Sequence, residues 1–202
     1  SSNLTLEYNA LTDSGQATIF IRGRNQPCGT QGNGTAYVIR YNYLARNYSS
    51  PVQHGEGCSC GQGIDDITIA FNLVENIYGT AFMAMGAVTG NTGMGPYHIY
   101  GNRFNWTDAN YCSAGGAQVL HIDGSSVFTG DINIYNNTHA NGKVCTGSSG
   151  SMVTANSNTS GQAINDRNNL IYNATQANPT PQGTWTYSRS HNAYFDVDDS
   201  SN

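Results

Sequence analysis

The chain has 202 residues, of which 10% are charged and 38% apolar, with a formal charge of −5 and Lys143 as its single lysine. That length suits one domain. The thin charge, without a basic stripe, excludes a phosphate-backbone binder, and no apolar run approaches the ~20 residues of a membrane span.

The first strand-like stretch is Asn3–Leu11, and its pattern recurs at Ala36–Leu44, Asp66–Val74, Pro96–Phe104 and Asp131–His139, with a weaker copy at Ala163–Ile171. Each copy is a short alternating strand followed by Asn, usually with an apolar residue two places on. The asparagines are Asn9, Asn42, Asn72, Asn102, Asn137 and Asn169, at spacings of 33, 30, 30, 35 and 32 residues. A near-constant period of this size marks a stacked-repeat architecture. Period-2 patterning, abundant Asn and Gly and the lack of helical periodicity select a β-solenoid over helical repeats. Asparagines at one position of every turn predict an amide ladder along the stack.

Between these copies lie second strands: Thr18–Gly23, a stretch closing at Gly61 after Gln53-His-Gly-Glu-Gly-Cys-Ser-Cys, Thr80–Gly86, Gln118–Gly124 and Ser151–Ala155. Aligned on their closing glycines, they place Ile21, Ser59, Ala84, Ile122 and Thr154 in one inward column. Ile19, Gly57, Phe82, Leu120 and Met152 form the other. The outward strip then collects Arg22, Glu56, Cys58, Cys60, Met83, Met85, His121 and Asp123. Beyond Asn173 the pattern is interrupted at Asn178-Pro-Thr-Pro181 and resumes over Trp185–Val197, so residues 174–202 form a less regular part of a single domain spanning 1–202. Without evident caps at either end, the expected molecule is part of a longer chain or stacks end to end with copies of itself.

The recurring strand–Asn–x–apolar unit resembles the right-handed parallel β-helix proteins of the pectate-lyase-like superfamily. So do His54-Gly-Glu-Gly before Asp65–Asn72, Asn168–Asn173 and His191–Phe195. The resemblance covers nearly the whole chain. It implies an all-β, right-handed parallel β-helix of about six to seven turns with little or no helix, a handedness that parallel crossovers favour in general. It specifies fold more than activity, because the superfamily holds lyases, hydrolases, tailspikes, adhesins and structural proteins.

A lyase of that family needs a base, commonly Arg or Lys, and a cation to neutralise the uronate carboxylate, often Ca²⁺ on clustered Asp. Arg22, Arg40 and Arg46 are candidate bases, and Asp65, Asp66 and Asp123 candidate ligands, although no convincing acid cluster is apparent and no other cofactor is indicated. The sharpest local constellation is His54 with Glu56 at i, i+2 on one strand face, repeated by His121 with Asp123 two turns on, ~10 Å away. Arg22 lies one turn below the first pair. These five are the candidate catalytic residues; Glu56 and Asp123 also fit loosely as a carboxylate pair for an inverting hydrolase. The bland alternative is that His54 and Glu56 only bond neighbouring turns. No Ser-nucleophile, phosphate-loop or zinc motif is present.

Cys112 follows Asn102 by ten residues and Cys145 follows Asn136 by nine, which places them on neighbouring turns within disulfide reach. Cys28 could reach Cys58 or Cys60, leaving one thiol over. Five cysteines and abundant Asn, Thr, Ser, Gly and Tyr point to an extracellular or cell-surface setting, as does a start at Ser1 with no signal peptide, which suggests processing or excision. Seven sequons offer glycan attachment at Asn3, Asn33, Asn47, Asn105, Asn136, Asn158 and Asn173, a number that an Asn-, Ser- and Thr-rich chain also produces by chance. Tyr8, Tyr41, Phe71, Tyr100 and Tyr135 occupy one repeat position beside the asparagines and predict a structural aromatic stack. The expected function is an extracellular structural module that is rigid or fibre-forming, with copies of itself and glycans as partners. A polysaccharide lyase or hydrolase acting on an acidic polysaccharide is the first alternative, and a non-catalytic glycan binder the second.

Overall fold

The computed structural model describes residues 3–15, 18–21, 36–47, 58–60, 66–85, 94–112, 117–123, 127–145, 152–155, 159–175 and 182–198, without the side chains of 20, 21, 58–60, 83–85 and 123. In chain order the strands are β1 (Leu4–Glu7), β2 (Ala10–Thr12), β3 (Ile19–Ile21), β4 (Tyr37–Arg40), β5 (Tyr43–Asn47), β6 (Cys58–Cys60) and β7 (Ile67–Ala70). They continue with β8 (Leu73–Ile77), β9 (Thr80–Met85), β10 (Tyr97–Tyr100), β11 (Arg103–Asn105), β12 (Gln118–Asp123) and β13 (Ile132–Tyr135). The last are β14 (Thr138–Ala140), β15 (Val153–Ala155), β16 (Ser160–Arg167), β17 (Leu170–Ala174), β18 (Thr184–Ser190) and β19 (Ala193–Val197). Two single 3-10 turns, Ala109–Tyr111 and Gly142–Val144, complete the regular elements among the described residues.

The strands stack in parallel into three sheets. Sheet A runs β1-β4-β7-β10-β13-β16-β18, sheet B runs β2-β5-β8-β11-β14-β17-β19, and sheet C runs β3-β6-β9-β12-β15. The chain is therefore the expected all-β parallel solenoid. Each rung of sheet A meets its rung of sheet B at a sharp corner, and the ladder asparagine sits just past that corner. The residue before it adopts left-handed φ, as at Tyr8, Tyr41, Phe71, Gly101, Asn136, Asn168 and His191.

At the corner the backbone N–H groups turn inward, and the side chain of the next rung satisfies them. The Asn42 amide N and Nδ2 both donate to Asn72 Oδ1, at 2.9 and 3.1 Å, while Asn42 Nδ2 also reaches Leu6 O at 2.9 Å. The same pattern links Asn9 to Asn42, Asn72 to Asn102, Asn102 to Asn137 and Asn137 to Asn169. A seventh member, Asn192, accepts from the Asn169 amide at 2.8 Å. It lies only 23 residues on, so the period hides it. Asn42, Asn72, Asn102, Asn137 and Asn169 are all at most 2% exposed, so each bond is made in a dry interior, where a missing partner is costly.

The interior is built from alternate residues of each strand. Leu6, Ile39, Ile69, Ile99 and Ile134 form one column of sheet A, continued by Asp166 and Arg189. Sheet B contributes Leu11, Leu44, Val74, Phe104, His139, Ile171 and Tyr194. Asp166 is 1% exposed, and its carboxylate accepts from Asn169 Nδ2 (2.7 Å), Asn192 Nδ2 (2.9 Å), the Tyr187 hydroxyl (2.9 Å) and Arg189 Nε (3.3 Å). A charged hub thus replaces the aliphatic column at rungs six and seven. Burial pushes the Tyr187 phenol up, and the Asp166 charge adds to the shift, so the phenol remains a donor.

His139 is another buried titratable group. It is fully enclosed, Nε2 lies 2.9 Å from Ala117 O, Nδ1 has no partner among the described residues, and the Trp106 ring is 5.1 Å away. Burial pushes its pKa down to about 4. Between pH 6.5 and 4 the unfolded imidazole binds a proton and the folded one does not. Stability therefore falls as pH falls through that window, by about 3 kcal/mol in all. Chemical denaturation at a series of pH values should show this slope, and His139→Phe should flatten it.

Candidate functional site

Sheet C is built from five stacked strands, but two of them sit in a different register from the one expected. β6 pairs Cys58 with Ile19 and Phe82, and Cys60 with Ile21 and Ala84; β15 pairs Val153 with Leu120, Thr154 with His121 and Ala155 with Ile122. In backbone register, Cys58, Cys60, Val153 and Ala155 therefore stand where Gly57, Ser59, Met152 and Thr154 were expected. The closing glycines misled because Gly61 follows its strand by one residue, whereas Gly23, Gly86 and Gly124 stand two past Ile21, Ala84 and Ile122. Since side chains alternate, a one-residue slip moves every residue to the opposite face.

Of the five expected catalytic residues, Arg22, His54 and Glu56 lie outside the described residues, and Asp123 is described only as the last backbone position of β12, opposite Met85. His121 is described in full. Its Nδ1 is 2.8 Å from Thr154 Oγ1, and the Thr154 hydroxyl donates to Gln118 Oε1 at 2.9 Å. A hydroxyl carries one hydrogen, so with that hydrogen on Gln118 the Thr154 oxygen accepts from His121, which fixes the proton on Nδ1. Gln118 and Thr154 escaped the sequence reading because the slipped register put Thr154 inside.

The remaining candidates are engaged elsewhere. Arg40 Nε contacts Glu7 at 2.6 Å, and Arg46 grips Asp13 with two bonds of 2.8 Å, holding that carboxyl down at about 2. Asp66 opens β7 in left-handed conformation, and Asp65 lies outside the described residues. Among the described residues no group of three or more His, Cys, Asp or Glu side chains could hold a metal ion.

Cys112 and Cys145 form the expected disulfide, with Cα atoms 5.1 Å apart. Cys28 and the side chain of Cys60 lie outside the described residues. Two sequons are closed by packing. Asn47 is wholly buried with Nδ2 on Ser14 Oγ, and Asn105 is 7% exposed with Nδ2 on Glu75 Oε1, so a glycan at either would have to be driven into the fold. Asn3 and Asn136 are exposed, Asn173 is half-buried, and Asn33 and Asn158 lie outside the described residues.

The aromatic residues divide into two columns where the sequence suggested one. Tyr8, Tyr41 and Phe71 hold the left-handed corner position and stack at 5.2 and 5.3 Å. Tyr100 and Tyr135 stand one residue earlier, on the outer face of sheet A, stacked at 4.9 Å with 7° between planes. The columns join at Gly101, where Phe71 meets Tyr100 edge-on at 5.3 Å. A Cβ at Gly101 would sit 2.6 Å from the Phe71 ring, and the φ of +66° is strained for any other residue. Gly101→Ala should therefore cost about 1 kcal/mol, read as a lowered denaturation midpoint.

Beside this junction the outer face of sheet A carries three consecutive residue pairs: His98 and Tyr100 on β10, Asn133 and Tyr135 on β13, Asn165 and Arg167 on β16. Asn165 Nδ2 donates to Asn133 Oδ1 at 3.1 Å, and the Arg167 guanidinium lies 5.4 Å over the Tyr135 ring. Burial raises the Tyr135 pKa, with the neighbouring Tyr100 adding to it, so its hydroxyl is a donor at neutral pH. The chain matches no protein-family model, no curated protein and no solved structure.

Proposed function

We propose that this chain is a rigid structural module of an extracellular or cell-surface protein, a parallel β-helix of pectate-lyase-like type. The observation that carries this reading is the asparagine ladder, which runs from Asn9 to Asn192 through every rung of sheets A and B. Such a ladder specifies a stiff rod with a fixed rise per rung, and chemistry on a substrate does not require it. The Cys112–Cys145 disulfide supports the oxidising compartment. Copies stacked end to end are a proposed partner, and among the described residues no helix is long and apolar enough to cross a membrane.

The test is a panel of polyuronates and neutral polysaccharides incubated with the purified chain, with unsaturated products and new reducing ends measured. The structural reading expects no turnover beyond that of a His121→Ala variant. Turnover that His121→Ala abolishes would replace it with the lyase or hydrolase reading.

A further inference from the structure

The first and last described rungs are complementary at the corner between sheets A and B. Three contacts recur there between consecutive rungs. The residue before the ladder asparagine donates its N–H to a carbonyl of the next rung, as Tyr41 does to Ala70 O and Asn168 to Ser190 O. The asparagine N–H donates to the next Oδ1, as Asn42 does to Asn72 and Asn169 to Asn192. The residue after the asparagine donates back to the rung before, as Tyr43 does to Asn9 O and Ala193 to Asn169 O. Among the described residues no rung precedes β1 and β2, which leaves Asn9 Oδ1 without a donor and the Ala10 N–H without an acceptor. None follows β18 and β19, which leaves the N–H groups of His191 and Asn192 without acceptors and Asn192 O without a donor. An unpaired strand edge of this kind is a template for another strand.

A second copy placed past the last rung supplies each partner in the register that the chain already uses. The His191 N–H meets Glu7 O of the second copy, the Asn192 N–H meets its Asn9 Oδ1, and its Ala10 N–H meets Asn192 O. The side chains agree with that register. Tyr8, 75% exposed, lands on His191, which holds the same left-handed corner position. Leu4, 44% exposed, continues the column that ends in Tyr187, and Leu11 continues the one that ends in Tyr194. Leu6 covers Arg189, which keeps Asp166 as its partner. At the far corner Asp13 meets Asp196, each already held by a cation, Arg46 and Lys143. We infer that the chain polymerises head to tail, with β1 and β2 of one copy pairing in parallel with β18 and β19 of another and the asparagine ladder continuous across the seam. A contact between two unlike ends does not close on itself, so it propagates into a filament. This inference deepens the structural-module reading and rests on it.

The experiment is sedimentation velocity of the purified chain over about a hundred-fold range of concentration, with electron microscopy of the largest species. Mass that grows steadily with concentration is expected, with filaments whose axial repeat is seven strand spacings, ~34 Å. Ala10→Pro removes a donor that the described fold leaves unused and sets a ring at the seam, so it should raise the concentration needed for assembly roughly ten-fold or more. Leu4→Lys, which puts a charge against Tyr187, should act in the same direction. Thr68→Ala, on the outer face in mid-stack, should leave assembly unchanged. Thermal unfolding shows whether each variant is folded, and Leu4→Lys decides if Ala10→Pro is not. A monomer at every concentration, a dimer that grows no further, or assembly undisturbed in the folded variants would overturn the inference. A monomer without polysaccharide turnover leaves the structural-module reading standing, whereas turnover lost in His121→Ala removes that reading whatever the state of assembly.

Discussion

Asn72→Ala is expected to lower the unfolding free energy by about 4 kcal/mol. The Asn72 side chain accepts from the Asn42 amide and Asn42 Nδ2, and donates to Ile39 O and Asn102 Oδ1, all within 3.1 Å. Removing it breaks four bonds in an interior where Asn72 is 2% exposed, at roughly 1 kcal/mol each. Water cannot easily replace the lost amide because the corner is closed by the rungs on both sides. Thr68→Ala, on the outer face of the preceding strand, should change stability by no more than about 0.5 kcal/mol. Urea denaturation of the two variants makes the comparison, and equal, small effects would show that the ladder does not hold the rungs.

The charged hub gives the second large effect. Asp166→Ala leaves the Arg189 guanidinium, the Tyr187 hydroxyl and the amides of Asn169 and Asn192 without their shared acceptor. Losing the four bonds at roughly 1 kcal/mol each costs about 3 kcal/mol, since water reaches the part-exposed Arg189 and Tyr187 side chains left behind. Asp166→Ala combined with Arg189→Ala should cost less than the sum of the two single changes, since the double variant has no stranded charge. Strict additivity in thermal unfolding would mean that the two side chains do not act together.

The sequence carried the solenoid, six of its ladder positions and the disulfide, because a repeated Asn and two cysteines on adjacent turns are local signals multiplied by a period. Asn192 was missed since it follows Asn169 by only 23 residues, short of the period of 30 to 35 that marks the others. The register of β6 and β15 was missed because short strands between long loops offer only closing glycines as a guide, and one residue of slack inverts the faces. Asp166 was not singled out, because its role rests on Tyr187, Arg189 and Asn192, 21 to 26 residues further on and outside the regular period. The outer face of sheet A was invisible for a related reason. His98 and Tyr135 are 37 residues apart and Tyr135 and Arg167 a further 32, and the rung-to-rung pairing brings them together.

Native-state hydrogen exchange at the corner amides tests the account most directly. The backbone N–H groups of Asn42, Asn72, Asn102 and Asn137 donate to side-chain oxygens of the next rung, in positions where isolated turns would exchange quickly. A rigid ladder predicts that these four exchange only through global unfolding, as slowly as the amides of Ile69 and Ile99 in sheet A. Exchange several orders of magnitude faster at the corners than in the strands would contradict it, leaving a stack of sheets hinged at its edge.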